Sequence, residues 1–257
     1  MQPAAQSAPV LTPEQLQKRA RRVWIGFTVL ALALACATVV VAGLYGRTRE
    51  LKMLAEQGHT DANLKVALLR AVLESPRALP LLLSEDQRVR DALAIGDASS
   101  VARLNEKLAR LVAGTKAAVL YVIGTDGITI ASSNYRDSDS FVGNDYSYRE
   151  YFVHAMKEGT AEFFAMGNVS KRPGLYISRI VGTASAPLGV VVVKMEFDQL
   201  EADWHESNRP SYVVDNHGVV LITSIPSWRF LTDGKLTETM FATVRGSLQF
   251  DDAPLLP

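Results

Sequence analysis

Ser140-Phe-Val-Gly-Asn-Asp-Tyr-Ser-Tyr-Arg-Glu-Tyr-Phe152 opens a segment that continues through Ala165-Met-Gly-Asn-Val-Ser170 and Pro173-Gly-Leu-Tyr-Ile-Ser178. It closes on Leu188-Gly-Val-Val-Val-Val-Lys-Met195. An aromatic-rich loop holds one arginine, Gly-bounded strands follow, and a lysine stands at the end of an apolar run. The unbroken Val190–Val193 run predicts a central strand covered on both faces. An ammonium beside it must find a partner or reach solvent, because desolvating an unpaired charge costs several kcal/mol. A planar guanidinium in the loop can grip a carboxylate through two parallel, charge-assisted hydrogen bonds. Arg149 and Lys194, from separate elements, therefore suit a small ligand with two negative charges. The bland alternatives are a Lys194 that snorkels from a strand end and an Arg149 paired with Asp145 or Glu150. Glu196 is a third acid placed to compete.

Outward from this segment, strand signals begin beyond Lys116. Val119–Ile123 is a short apolar run, Gly124-Thr-Asp-Gly127 is turn chemistry and Ile128-Thr-Ile130 alternates. The design recurs 91 residues later: Tyr121-Val-Ile, Gly127 and Ser133 align without a gap on Tyr212-Val-Val, Gly218 and Ser224. Two related sheet lobes follow from that repeat, joined by a helical turn at Asp198–Trp204. Tyr151-Phe-Val-His-Ala-Met156 reads as a short helix.

Upstream, the periodicity is helical. Leu51, Ala55, Ala62, Val66, Leu69 and Leu73 form one narrow stripe, either packing on its own domain or forming a seam between two copies of the chain. Gly58-His59 interrupts it, and Pro76 and Pro80 are expected to stop the helix. Ser84-Glu-Asp-Gln87 fits a capping box. Val101, Leu104, Leu108 and Leu111 mark a further helix. Val23–Leu44 is uncharged and spans about 33 Å as a helix, enough for a bilayer core. Trp24 and Tyr45 sit at its ends, and basic residues flank both sides, favouring a cytoplasmic N-terminus. Because the apolar run continues eight residues past Ala33-Leu-Ala-Cys36, it reads as an uncleaved anchor rather than a signal peptide. Residues 1–17, rich in Ala, Gln and Pro, are expected to be disordered.

Composition narrows the function. Lys+Arg and Asp+Glu are equal at 27 each, so nothing favours nucleic acid. With Cys36 as the one cysteine, the chain can form no internal disulfide, and the four histidines do not cluster at metal-ligand spacing. His205-Glu-Ser-Asn-Arg-Pro210 imitates a phosphoacceptor histidine but lacks the downstream nucleotide-binding context. Asn168-Val-Ser170 matches a glycosylation pattern that is cheap by chance. No nucleophile elbow or metal cluster points to an enzyme.

The quoted runs closely resemble the sensor region of membrane-bound histidine kinases that detect C4-dicarboxylates. Similarity extends to Ser132-Ser-Asn134, Trp204, Gly218-Val219 and Trp228-Arg-Phe230, from roughly residue 20 to the end. The resemblance implies an α+β fold: a transmembrane helix and long stalk helix, then two tandem PAS-like (double Cache) antiparallel lobes, the second incomplete. Its implied segments are a cytoplasmic tail (1–22), a membrane helix (23–45), a helical stalk (46–115), a membrane-distal ligand-binding lobe (116–204) and a membrane-proximal lobe (205–257). Residues from about 46 onward would be periplasmic at a bacterial inner membrane. Position by position, Tyr146, Arg149 and Lys194 match carboxylate-gripping positions, Ser178 matches a hydroxyl donor, and Gly167, Asn168 and Tyr176 match pocket-lining positions. Glu150 replaces a proline usual in the family, and an acid there weakens the attraction of Arg149 for a dianion. The implied partners are a C4-dicarboxylate such as succinate, fumarate or malate, the membrane, and a second copy through the stalk. A response regulator enters only through a kinase portion beyond this sequence, which is read as stopping within a domain. No cofactor is expected. The rival readings are a Cache sensor for an amino acid, feeding a chemoreceptor or cyclase, and a tethered scaffold without a ligand.

Overall fold

The computed structural model describes residues 13–257, with backbone alone at 14–16. The expectation for residues 1–12 lies outside the described residues. The chain divides into two compact units, Met1–Leu68 and Leu69–Pro257. In the first, the described residues belong to helix α1, which runs over Pro13–Ser84. Pro13–Gln17 are helical rather than disordered, and Gly58-His59 does not break the helix. Among the described residues this is the one helix long and apolar enough to cross a membrane. The stripe is exposed from Leu51 to Val66; only Leu69 and Leu73, in the second unit, pack against a core.

The prolines do not stop α1, contrary to the sequence expectation. Leu73, Pro76, Pro80 and Leu83 are all buried at spacings of three, four and three. Both pyrrolidine rings therefore lie on the helix face that packs on the core. Each proline removes one backbone hydrogen bond and crowds the preceding turn, and burial of the Leu73–Leu83 face against the core is what offsets that cost.

Two short helices follow, α2 (Gln87–Ile95) and α3 (Ala98–Ala113). The cap of α2 is Asp86 rather than Ser84: its carboxylate accepts the Arg88 amide at 3.0 Å, whereas the Ser84 hydroxyl bonds back to Leu81 O within α1. Lys107 of α3 donates to the other carboxylate oxygen. Partial burial works to raise the Asp86 pKa, but the Lys107 hydrogen bond and charge outweigh it and hold the carboxyl below its ordinary value. Asp86→Ala is expected to cost about 1–2 kcal/mol at neutral pH. A depressed carboxyl stabilises the fold above its unfolded pKa and loses that contribution as pH falls through its folded pKa. The gap between variant and parent in urea melts should therefore narrow from pH 7 to pH 3. Leu104 and Leu108 of α3 are fully buried against the sheet, so this part of the expected 46–115 stalk belongs to the sheet layer.

The first lobe is a five-stranded antiparallel sheet in the order β2-β1-β5-β4-β3. Its strands are β1 (Val119–Gly124), β2 (Thr129–Ser132), β3 (Thr160–Met166), β4 (Pro173–Thr183) and β5 (Ala186–Met195). Val190–Val193 are fully buried, as a central strand covered on both faces requires. One face carries Leu120, Val122, Ile177, Val191 and Val193 and packs with Leu104 and Leu108 of α3. The other carries Tyr121, Tyr176, Val190 and Val192 and is roofed by the 141–149 loop and helix α4 (Glu150–Glu158).

Helix α5 (Asp198–Glu206) leads to a second, two-stranded sheet of β6 (Tyr212–Val214) and β7 (Val220–Thr223), followed by α6 (Glu238–Gly246). The 91-residue repeat holds in three dimensions, hydrogen bond by hydrogen bond. Tyr121↔Ser132 and Val122↔Ala131 recur as Tyr212↔Thr223 and Val213↔Ile222. The Ser133 hydroxyl accepts the Leu120 amide, and the Ser224 hydroxyl accepts the Ser211 amide. Gly127 and Gly218 turn with φ of 83° and 81°. Gly127 is doubly constrained, since a Cβ there would lie 2.4 Å from the Ser147 Cβ.

Candidate functional site

The 141–149 loop is seated by motif residues that sequence similarity had singled out without a role. Asn134 accepts the Ser132 hydroxyl (2.6 Å) and the Phe141 amide (3.2 Å), and its side-chain amide donates to Asp139 O (2.9 Å). The Tyr146 amide then bonds to Gly127 O at 2.8 Å. The chain thus enters α4 with Arg149 as its N-cap residue, in extended conformation.

Aromatic rings line this side of the sheet. Tyr121, Phe141, Tyr146 and Tyr151 contact one another edgewise or tilted, with centroids 5.3–6.4 Å apart. Tyr151 stacks on Tyr176 at 4.7 Å. Burial pushes the Tyr146 phenol up to about 12 and lifts those of Tyr121, Tyr151 and Tyr176 above their ordinary range. All four stay protonated near neutrality, as donors rather than phenolates.

Arg149 is 5% exposed, and among the described residues its guanidinium hydrogen-bonds neutral oxygens alone. It donates to Met166 O at 2.9 Å, Leu248 O at 3.2 Å and the Asn168 side-chain oxygen. Its Nε is buried with no acceptor among the described residues, and the guanidinium carbon lies 5.5 Å from the centre of the Tyr148 ring, whose hydroxyl is bonded to Asn168. Neither acid suspected of competing bonds Arg149: Asp145 accepts the Ser147 amide at 2.8 Å, and Glu150 lies 3.1 Å from the His154 ring.

Lys194 has no exposed surface. It stands opposite Tyr176 in the β4–β5 register, with its ammonium 6.0 Å from that ring. It donates to the Ser170 hydroxyl at 2.7 Å and to Glu196 at 2.5 Å. Desolvation lowers its pKa, only partly countered by Glu196. Glu196 also receives Arg172 at 3.1 Å, and Arg172 reaches on to Asp198.

Both cations thus converge on one element, the six-residue β3–β4 turn from Gly167 to Arg172 and the Met166 that precedes it. Arg149 holds Met166 O and Asn168; Lys194 holds Ser170. Gly167 sits between them, and a Cβ there would fall 2.4 Å from the Ser170 hydroxyl and 3.1 Å from the Tyr176 hydroxyl. Ser178 lies on the same sheet face, but its proton goes to Tyr151 O at 2.7 Å, tying α4 to β4. Sequence reasoning missed Tyr148 and Ser170 and named Glu196 only as a competitor. A separate open groove of about 530 Å³ borders β3, lined by Arg77, His154, Glu158 and Arg179 among others. Of the candidate residues only Ser178 reaches it, and its Arg77 is already locked to Glu162 at 2.7 and 2.8 Å. Among the described residues no three His, Cys, Asp or Glu side chains cluster to hold a metal.

No family model matches the chain. It is 52% identical over 245 residues to the C4-dicarboxylate transport sensor protein DctB of Rhizobium meliloti, covering 95% of this chain and 40% of that one. It is 34% identical over 208 residues to the protein of the same name from Pseudomonas aeruginosa, covering 80% of this chain and 34% of that one. The chain therefore spans well under half the length of these relatives. The crystal structure of the V. cholerae histidine kinase DctB sensor domain superposes with a TM-score of 0.74 at 29% identity, covering 80% of each chain.

Proposed function

Since this chain belongs to the DctB family of C4-dicarboxylate transport sensors and corresponds to their sensor region, we propose that it binds a C4-dicarboxylate between Arg149 and Lys194. The observation that carries this reading is the convergence of two buried cations on the Met166–Arg172 segment, beside a layer of protonated tyrosines. Met166 O, Asn168 and Ser170 offer the cations oxygens in the manner of a ligand's carboxylates. A diacid would replace them, one end on the Arg149 fork and the other on Lys194, with Tyr146 and Tyr176 walling the carbon chain. Asn168 and Gly167 would move with the turn, and Ser178 would hold α4 in place rather than touch the ligand.

Arg149 also holds Leu248 O of the second lobe. Loss of that bond on ligand capture would bias how the two lobes sit and carry the signal toward the membrane helix. In this reading residues 1–22 are a cytoplasmic tail, 23–45 the membrane span, α1 beyond it a periplasmic stalk, residues to 204 the membrane-distal lobe and 205–257 the proximal one. The exposed stripe from Leu51 to Val66 would pair with a second copy, and a response regulator would answer a kinase portion of the full-length protein. Sensing, not catalysis, is assigned to this chain.

An amino-acid ligand would need a carboxylate for its ammonium group. Glu196 is such a carboxylate, but Lys194 and Arg172 already hold both of its oxygens. Melting the full chain in detergent micelles tests the choice. Succinate, fumarate or malate at about 100 times Kd should add about 2.7 kcal/mol of stability, while alanine and glutamine add none. A shift with an amino acid and none with any diacid would overturn the reading.

A further inference from the structure

Two cation–anion pairs, Lys194 with Glu196 and Arg172 with Asp198, cancel around the site and leave Arg149 as its unbalanced charge. Glu196 links the pairs. One carboxylate oxygen lies 2.5 Å from the Lys194 ammonium and the other 3.1 Å from the Arg172 guanidinium. Its side chain is 14% exposed, whereas those of Arg172 and Asp198 are more than half exposed at the rim. Glu196 precedes α5, and Lys194 lies two residues earlier on β5, so the acid is fixed beside the ammonium by chain geometry.

Resting on the dicarboxylate reading, we infer that Glu196 is a built-in counter-ion that sets the charge the site accepts. It holds Lys194 while the ligand is away, then yields the ammonium to the second carboxylate of a diacid and falls back on Arg172. A monoanion, needing Arg149 alone, leaves the Lys194–Glu196 pair closed. A dianion must compete with Glu196, so affinity is spent on discrimination between one and two charges. Arg172 is the residue that makes the exchange affordable, because it keeps the displaced carboxylate from being left unpaired in a largely buried place.

The test is calorimetric titration of the full chain in micelles with succinate and with its monoamide, succinamate. Glu196→Gln keeps the shape and one acceptor oxygen but removes the charge. It should tighten succinate about tenfold, as expected for deleting one like charge near the ligand, and change succinamate less than threefold. Arg172→Gln should weaken succinate severalfold. In the Glu196→Gln background, Arg172→Gln should have little effect, since no displaced carboxylate remains to receive. If Arg172 acts only through its general field, its effect will be equal in both backgrounds, and the inference fails. Succinate binding that is unchanged or weaker in a folded Glu196→Gln variant also overturns it. No succinate binding to the parent chain would overturn the dicarboxylate reading itself, and this inference with it. Should Glu196→Gln fold poorly, Glu196→Asp draws the acid back from Lys194 and should shift succinate affinity in the same direction by a smaller factor. An unchanged affinity there counts against the inference.

Discussion

Arg149→Ala is expected to abolish the succinate-induced rise in melting temperature, with affinity reduced at least about 100-fold, or about 2.7 kcal/mol. The size follows from what the guanidinium alone provides. It is nearly buried, and among the described residues it hydrogen-bonds no acid and retains a buried Nε without an acceptor. Its charge is therefore available to a ligand rather than cancelled internally, and truncating one member of a buried charge pair costs about 2–5 kcal/mol. The substitution also strips a donor from Met166 O and Leu248 O. Each carbonyl left unsatisfied costs about 1–3 kcal/mol, so the unliganded protein should melt earlier as well. Arg149→Lys separates the two effects. It restores the charge but not the fork, so it should recover part of the affinity and little of the bridging to Leu248. A succinate response that survives in Arg149→Ala would remove the central contact of the proposed site.

The elements that sequence reading reached are those encoded by short-range pattern. The repeat was visible because Gly127 and Ser133 occupy positions that a positive φ and a backbone hydrogen bond restrict, and the same restrictions operate at Gly218 and Ser224. The shared tyrosine has no such cause, since Tyr121 is fully buried and Tyr212 half exposed. Helix α3 was visible because Leu104 and Leu108 share one face. The proline error has the same root seen from the other side. Pro76 and Pro80 break a helix in isolation, but spaced with Leu73 and Leu83 they fall on its buried face, and that tertiary gain appears only once a sheet lies opposite.

At the site, Arg149 and Lys194 stood out as charges in apolar surroundings, but neither structural alternative holds: Lys194 has no exposed surface and does not snorkel, and Arg149 pairs with neither Asp145 nor Glu150. Asp145 accepts the Ser147 amide and Glu150 faces His154, each within its own local turn and away from the Arg149 hydrogen bonds. Lys194 does not escape Glu196. Ser170 and Tyr148 left no signal in sequence, since neither hydroxyl is remarkable until the β3–β4 turn folds over the sheet and brings it to a cation or its partner.

Lys194→Met is expected to eliminate dianion binding and to destabilise the chain by about 2 kcal/mol, less than the 3–5 kcal/mol for breaking a fully buried pair, because Glu196 keeps Arg172 and some solvent. Adding Glu196→Gln should restore most of that stability, since the double variant contains no stranded carboxylate. It should restore none of the succinate response, which separates binding from folding at this position. A double variant as unstable as Lys194→Met would mean that the ammonium is needed for packing alone. The pH dependence gives an independent sign. Desolvation lowers the Lys194 pKa in the folded chain, so between that lowered value and the ordinary 10.5 the unfolded chain binds the proton that the folded chain has released. Stability contributed at this residue therefore rises with pH through that window. Dianion affinity must fall over the same interval, because a neutral amine offers no charge to the second carboxylate. Melting curves and titrations moving in opposite directions as pH rises toward 10.5, with both trends absent from Lys194→Met, are what a buried ammonium serving as a receptor group requires.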